Sequence, residues 1–433
     1  MTDEKIGAAL YDLARELFPI HRSLTGDGVR QTLGIIQREL PDLKIHEVPS
    51  GTECFDWVVP LEWNIEEAYI LSPGGEKIVD FERNNLEVAA YSEPVSLRLS
   101  LKELQEHLYS LPDQPQAIPY VTSFYQKGWG FCLTHSQRLA LEAGEYTVFI
   151  DSSLEAGHLT YADLVIPGES EEEVLLSTYV CHPSLANNET SGPVVTTFLA
   201  KWLKGLARRR YTYRIVFIPE TIGSLCYLSR HLDHLKRCTI AGFNVTCVGD
   251  ERTYSYLPSR TGDTLADQVA LHVLKHIYPQ FKGYTFLDRG GDERQYCSPG
   301  VDLPLVCLMR SKYHEYPEYH TSEDDLDLIS PEGLFGGYEA LRLCLLCLER
   351  NELLKVTVLG EPHLGKRGLY PTVTDKSVAR NEDLNRLLNL IAYCDGKRRL
   401  LQIAETINEP MWELFDLVAR LKAEGLLKVC DPD

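Results

Sequence analysis

VLLSTYVCHPSLANNETSG, residues 174–192, decides how the rest of the chain is read. Its first seven residues are mostly apolar and rich in Val and Leu, as in a strand buried on both faces of a parallel sheet. The run stops at Cys181-His182-Pro183-Ser184 and turns through Asn187-Asn188-Glu189-Thr190-Ser191-Gly192. A helix over 193–206 follows, with Ser191 suited to its cap and Pro193, which has no N–H to satisfy, to its first turn. A histidine just past the carboxyl end of a parallel strand stands where α/β sheets bind ligands.

Outward from that stretch, strands are expected at 212–218, 240–248 and 303–308, and helices at 225–235, 264–277 and 331–349. This alternation predicts an α/β fold with a mostly parallel central sheet flanked by helices. Two helices, 5–17 and 29–40, precede it, separated by the polar turn around His21. From Lys44 to Ile150, short alternating segments between Gly, Pro and Asp turns predict an inserted β-rich domain. The Gly/Pro-rich stretch 360–373 reads as a linker, and the remainder as a winged helix-turn-helix. The expected domains are 1–43 with 160–358, the insertion 44–159, and 375–433.

A formal charge of −20 argues against nonspecific nucleic-acid binding, which needs clustered Lys and Arg. Within 381–433, seven basic residues face ten acidic ones, and Glu413 and Asp416 would meet phosphate. The winged helix is therefore expected to serve a protein partner or self-association. No signal-peptide pattern opens the chain and no apolar run spans a membrane, so no membrane association is expected. Twelve scattered cysteines suggest reduced thiols and a cytoplasmic location. Cys344 and Cys347 have CxxC spacing but lie in a helical pattern, with no second pair to complete a zinc site.

Polar clusters recur after the other expected strands, Glu220-Thr221-Ile222-Gly223, Asp250-Glu251-Arg252 and Tyr319-His320-Thr321, with Asp292-Glu293-Arg294 just ahead of the strand at 303–308. Singly, each is an ordinary turn or helix cap. Together they gather imidazole and carboxylate groups at one sheet edge, a donor set suited to zinc. Zinc lowers the pKa of a bound water to about 7, and a neighbouring Glu can accept its proton.

The blocks CHPSLANNETSGP, PETIGS, GDERTYSYLPSR, DERQYCSPG and EYHTSEDDLD, with HRSLTGDGVRQTL near the start, resemble the M28-like zinc aminopeptidases. Among these, the pattern is most similar to bacterial aminopeptidase-like proteins labelled polysaccharide-biosynthesis proteins, with an inserted β-rich domain and a C-terminal winged helix. The resemblance implies a zinc-dependent hydrolase of an amide or peptide bond acting on a small-molecule or peptide-like substrate. Glu220 matches the general base. His182, His320 and Asp250 match metal ligands, with Thr246 as the other register for Asp250, and Asn188 stands at the metal-bridging Asp. Asp292, Arg294, Tyr319 and Arg310 are the expected substrate-binding residues. Asn188 and Thr221 each replace a carboxylate, which predicts one zinc ion rather than two. Glu189 could supply the missing carboxylate if the turn shifts by one residue. Two other readings stay open: a catalytically silent or single-metal binding or scaffold relative, and a ligand-sensing regulator that uses the winged helix.

Overall fold

The computed structural model describes residues 3–369 and 378–430. The chain opens with helices α1 (Asp3–Leu17) and α2 (Asp27–Glu39), then strand β1 (Lys44–Pro49). The insertion contributes β2 (Glu62–Leu71), β3 (Lys77–Asp80), β4 (Val95–Ser100) and β5 (Glu145–Glu155). Next come β6 (His158–Ile166), β7 (Glu173–Tyr179), α3 (Ser191–Gly205), β8 (Thr212–Ile218), α4 (Ile222–Cys238) and β9 (Thr239–Asn244). The alternation continues through β10 (Ser255–Leu257), α5 (Leu265–Ile277), β11 (Lys282–Gly283), β12 (Leu305–Met309) and α6 (Pro331–Arg350). By contact the chain divides into two units: residues 1–267 with 280–339, and residues 268–279 with 340–433.

The first unit is built on an eight-stranded sheet of order β1-β6-β8-β7-β9-β12-β10-β11. Its four central strands, β8, β7, β9 and β12, are parallel, as the alternation predicts. β7 is buried along its whole length, Ser177 and Thr178 included, which is why it reads as a largely apolar run without polar–apolar alternation. The β1–β6, β6–β8 and β10–β12 pairs are antiparallel and carry the sheet outward on both sides. Lys44–Pro49 thus pairs into the main sheet, although the sequence places it in the insertion. A strand that alternates polar and apolar residues suits a sheet edge as well as it suits a separate module. The insertion has a four-stranded antiparallel sheet, β3-β2-β5-β4, with its own core around Ile70, Phe131, Tyr146 and Val148.

Two local departures matter for the site. β9 ends at Asn244, four residues short of the expected 248, so the position just beyond the strand is Thr246 rather than Asp250. Helix α3 begins at Ser191 and is preceded by a wide π-type turn, Ala186–Thr190. The Ser191 hydroxyl does not cap the helix; it donates back to the Asn187 carbonyl at 2.6 Å. Gly192 lets this turn press against the sheet, since a Cβ there would lie 2.4 Å from the Val245 carbonyl oxygen.

The second unit carries β13 (Leu353–Val356), α7 (Val378–Tyr393), β14 (Asp395–Arg399), α8 (Leu400–Ile407), α9 (Phe415–Ala423) and β15 (Leu427–Val429). Its sheet has the order β14-β13-β15, so the central strand precedes the stretch read as a linker. That stretch is therefore a connection inside this unit; its residues 370–373, and the expected boundary at 375, lie outside the described residues. His272 is fully buried here: it accepts the Met411 amide at Nε2 (2.9 Å) and bonds Glu405 through Nδ1. Burial holds its pKa below the usual value, with Glu405 opposing. A neutral imidazole in the folded state means the unfolded state takes up the proton first as pH drops through about 6.5. As pH falls below about 6.5 this unit should lose up to about 1.4 kcal/mol of stability per pH unit, until the folded-state imidazole also takes up the proton. Hydrogen exchange over 400–414 at pH 7 and pH 5 should show that loss in the native chain and a smaller one in His272→Phe.

Candidate metal centre

His182 follows β7 by three residues, and its conformation is fixed by Glu189 and Arg22. Its Nδ1 lies 2.7 Å from Glu189 Oε2, on the π-type turn. A carboxylate partner there favours the tautomer with the proton on Nδ1, leaving the Nε2 lone pair available as a ligand or base. Arg22, 1 % exposed, donates from Nε to the His182 carbonyl (2.9 Å) and from Nη2 to the Pro183 carbonyl (3.3 Å). The same Nε lies 3.8 Å from Glu189 Oε1, so the cation and carboxylate offset one another in a dry site. Burial works against a charged His182, but Glu189 overrides it and holds the imidazole above its ordinary pKa.

The turn carrying Glu189 is held in place by Asp324. The amides of Asn187 and Asn188 donate to its carboxylate at 2.6 and 3.0 Å, and the Ala186 amide donates to its carbonyl at 2.7 Å. A carboxylate at the start of a helical turn also meets the positive end of the backbone dipoles. Asp324 belongs to the acidic run after His320, so one residue ties the loop of the second histidine to the turn that orients the first. Burial, opposed by these amides, raises its carboxyl to about 6.

Glu220 follows β8 and is presented by a rare backbone turn. Thr221 has φ 64° and ψ −75°, and the Ile222 amide bonds the Glu220 carbonyl at 2.8 Å. That is a γ-turn of the strained, positive-φ kind, here at a β-branched residue. Asp292 braces it, accepting the Thr221 amide (2.7 Å) and the Ser224 hydroxyl (2.9 Å) at Oδ1. Glu220 Oε2 comes within 3.5 Å of His182 Nε2, with the Glu220 side chain 22 % exposed. Burial raises the Glu220 carboxyl above the usual range, with His182 opposing, and burial plus the Glu220 charge push Asp292 up to about 8.

His320 has its ring centroid 5.3 Å from that of His182, and Tyr120 of the insertion lies 5.2 and 5.1 Å from the two. The insertion clamps this loop directly: Pro119 bridges to Thr321, and the Tyr120 amide donates to the His320 carbonyl at 2.8 Å. Tyr319 stacks on the His320 ring at 3.9 Å. His320 Nε2, Asn188 Oδ1 and Asp292 Oδ2 are all buried with no hydrogen-bond partner. Among the described residues, the set around His182 with three ligand atoms within 4.8 Å is Cys181, His182 and Glu189, and it does not include His320.

Two expected site residues are not brought to the histidines. Asp250 spends its carboxylate on the Asn187 side chain (3.1 Å), the Ser311 amide and hydroxyl (2.8 and 2.9 Å) and the Arg252 amide (2.9 Å). The early end of β9 gives the position beside the site to Thr246, whose hydroxyl contacts the Asn188 carbonyl (2.9 Å) and the Tyr179 hydroxyl. Arg310 lies over the Tyr254 ring at 4.1 Å, and a Cβ on Gly336 would sit 2.6 Å from its Nη1. Arg294 does approach the site, donating to the Thr221 hydroxyl at 3.3 Å. The Asn188 side-chain amide donates to the Tyr179 hydroxyl at 3.0 Å, and its Oδ1 is left without a partner.

In front of Glu220 and His182 opens a cavity of about 200 Å³. Leu24, Trp57, Phe124, Tyr125 and Ile222 form its apolar wall, and none of the expected substrate-binding residues does. Sequence reasoning missed this wall, as it missed Arg22 and Asp324, because the contributing segments are far apart in the chain and carry no local signal of convergence.

The profile of the family described as Domain of unknown function (DUF4910) matches residues 11–351. The chain belongs to the DUF4910 family. A winged helix-turn-helix profile matches residues 352–429. A Clostridium acetobutylicum protein, provisionally named polysaccharide biosynthesis protein with aminopeptidase-like domain, is 44% identical over 399 residues, covering 92% of this chain and 91% of its own. The crystal structure of a provisionally identified peptidase from that organism superposes with a TM-score of 0.92 at 41% identity, covering 99% of this chain and 97% of the other. The Bacillus subtilis zinc aminopeptidase BSAP shares the fold at a TM-score of 0.58 and 13% identity, over 79% of this chain and 94% of its own.

The Arg22–Glu189 pair should behave as one unit in this DUF4910 chain. Arg22→Met strands a buried carboxylate and should cost about 3–5 kcal/mol of unfolding free energy. Adding Glu189→Gln should recover part of that, and a urea-denaturation double-mutant cycle measures the coupling.

Proposed function

We propose that this chain is a metal-dependent hydrolase of an amide or peptide bond, aminopeptidase-like, with Glu220 as general base. The observation that carries the reading is His182 Nε2, left free by the Glu189 bond, facing Glu220 at 3.5 Å beside the unpartnered His320 Nε2. Two imidazoles and the free side-chain oxygen of Asn188 form a donor set that suits zinc, with the Glu220 carboxylate beside it as the base. His182 and His320 would hold a single ion, with Asn188 contributing its oxygen. An ion held by both histidines within reach of Glu220 calls for a shift of the His320 or Glu220 side chain, because the ligand atoms of these three residues do not all lie within 4.8 Å of one another. Zinc bound there would polarise the scissile carbonyl and bring a water's pKa to about 7.

The chain's own groups do the rest. Glu220, whose carboxyl burial makes more basic than usual, accepts the proton of the attacking water and returns it to the departing amine. Asp292 and the γ-turn at Thr221 fix the direction of that carboxylate. The apolar wall excludes water and receives the uncharged part of the substrate. Support from relatives comes from the C. acetobutylicum name, with its aminopeptidase-like domain, and from the fold shared with BSAP. Among the described residues, no helix is long and apolar enough to cross a membrane. The winged helix-turn-helix unit serves a protein contact in this reading.

One observation favours a second reading, a binding relative without turnover. Asn188, Thr221 and Thr246 stand uncharged around the site, which removes negative charge that would offset a cation. Metal analysis and turnover of aminoacyl amides separate the two. His182→Ala should abolish stoichiometric zinc, and retained zinc would refute the ligand assignment. Glu220→Gln should keep the metal while lowering kcat by roughly 10²–10⁴-fold. Stoichiometric zinc with no turnover of any aminoacyl or acylated-sugar amide would favour the binding relative.

A further inference from the structure

Cys54 and Cys226 are 172 residues apart in sequence, yet their sulfurs lie 2.7 Å from each other, and both residues are fully buried. Non-bonded heavy atoms settle at about 3.5–4.0 Å, and an S–S bond is about 2.05 Å. The separation is therefore nearer to a bond than to a packing contact. Among the described residues, no other two cysteine sulfurs meet in this way.

The location gives the pair a consequence. Cys54 belongs to a small antiparallel hairpin, Glu53–Cys54 against Trp57–Val58, whose turn residue Phe55 has φ 58°. The hairpin's outer side faces solvent, with Phe55 52% and Trp57 39% exposed. Cys226 lies on α4 one turn beyond Ile222, and so on the same face of that helix. Trp57 and Ile222 both line the cavity in front of Glu220. The two sulfurs thus sit at the joint where the insertion's hairpin rests on the helix that begins at the γ-turn.

We propose that Cys54 and Cys226 are a reversible dithiol–disulfide site that fastens this hairpin to α4 and fixes one wall of the cavity. The co-reactant is a low-molecular-weight disulfide, RSSR. One protein thiolate attacks it, releasing the first RSH and forming a mixed disulfide. The second thiolate then attacks the protein sulfur of that mixed disulfide and releases the second RSH. Two electrons and two protons pass from the cysteines to RSSR, and one S–S bond replaces two thiols. Burial and the neighbouring Cys54 hold the Cys226 thiol above its ordinary pKa, so exchange waits on the hairpin lifting. When reduced, the hairpin is held by packing and hydrogen bonds alone and can open the cavity mouth; when oxidised, it cannot. The pairing stands whether or not the chain hydrolyses amides.

The test equilibrates the full chain with dithiothreitol or with graded mixtures of reduced and oxidised glutathione, then quenches in acid, unfolds and alkylates it. All twelve cysteines should alkylate after dithiothreitol, and ten after the most oxidising mixture. The missing two should appear in one non-reduced peptide pair joining Cys54 to Cys226, about 2 Da lighter than the sum of its parts. The thermal midpoint should rise by something on the order of 5 °C on oxidation. Cys54→Ala and Cys226→Ala should each keep every remaining thiol alkylatable and lose that rise, so one well-folded variant suffices. Twelve free thiols in the most oxidising mixture, a bridge to a different cysteine, or a stable glutathione adduct on either residue would overturn the proposal.

Discussion

The bond from Glu189 to His182 is the interaction on which the site depends. A fully buried carboxylate costs several kcal/mol unless charge and hydrogen bonds answer it. Here the answer comes from both ends of the fold. Arg22, before α2, supplies the cation, and Asp324, after β12, holds the turn that delivers the carboxylate. The parallel strands supply only the position of His182; its ring orientation is set by residues that do not touch its Nε2 edge. The free imidazole nitrogen is therefore a product of tertiary packing over the whole first unit rather than of the CHP turn.

Much of this was legible in the sequence because the central strands are buried on both faces. Largely apolar runs ending in polar clusters located β7, β8 and β12 and placed His182, Glu220 and His320 at one sheet edge. What could not be read was length at a strand end. The run 240–248 stays apolar past Asn244 because Val245, Cys247 and Val248 are buried after the pairing has stopped. Apolarity reports burial, not hydrogen bonding, so the reading overshot and promoted Asp250 over Thr246. Lys44–Pro49 misled in a different way, since an edge strand and a strand of a small separate sheet share the same alternation.

Residues that act through the backbone were the hardest to find. Arg22 and Asp324 work on carbonyls and amides, which every residue possesses, so no spacing announces them. Thr221 is the opposite case: the sequence marks it as the loss of a carboxylate, whereas its conformation marks it as the strained pivot that aims Glu220. A substitution that looks like decay of a site in the sequence can thus coincide with a backbone geometry maintained at a cost of order 1–3 kcal/mol.

The bridge between Pro119 and Thr321 gives the insertion a mechanical meaning. His182 is seated on the sheet, while His320 is gripped by a segment of the inserted domain. The gap between the two imidazoles is thus set like the jaws of a calliper, one carried by the sheet and one held from the side by the insertion. Drift in the insertion's packing would retune that gap without altering a single residue that faces it.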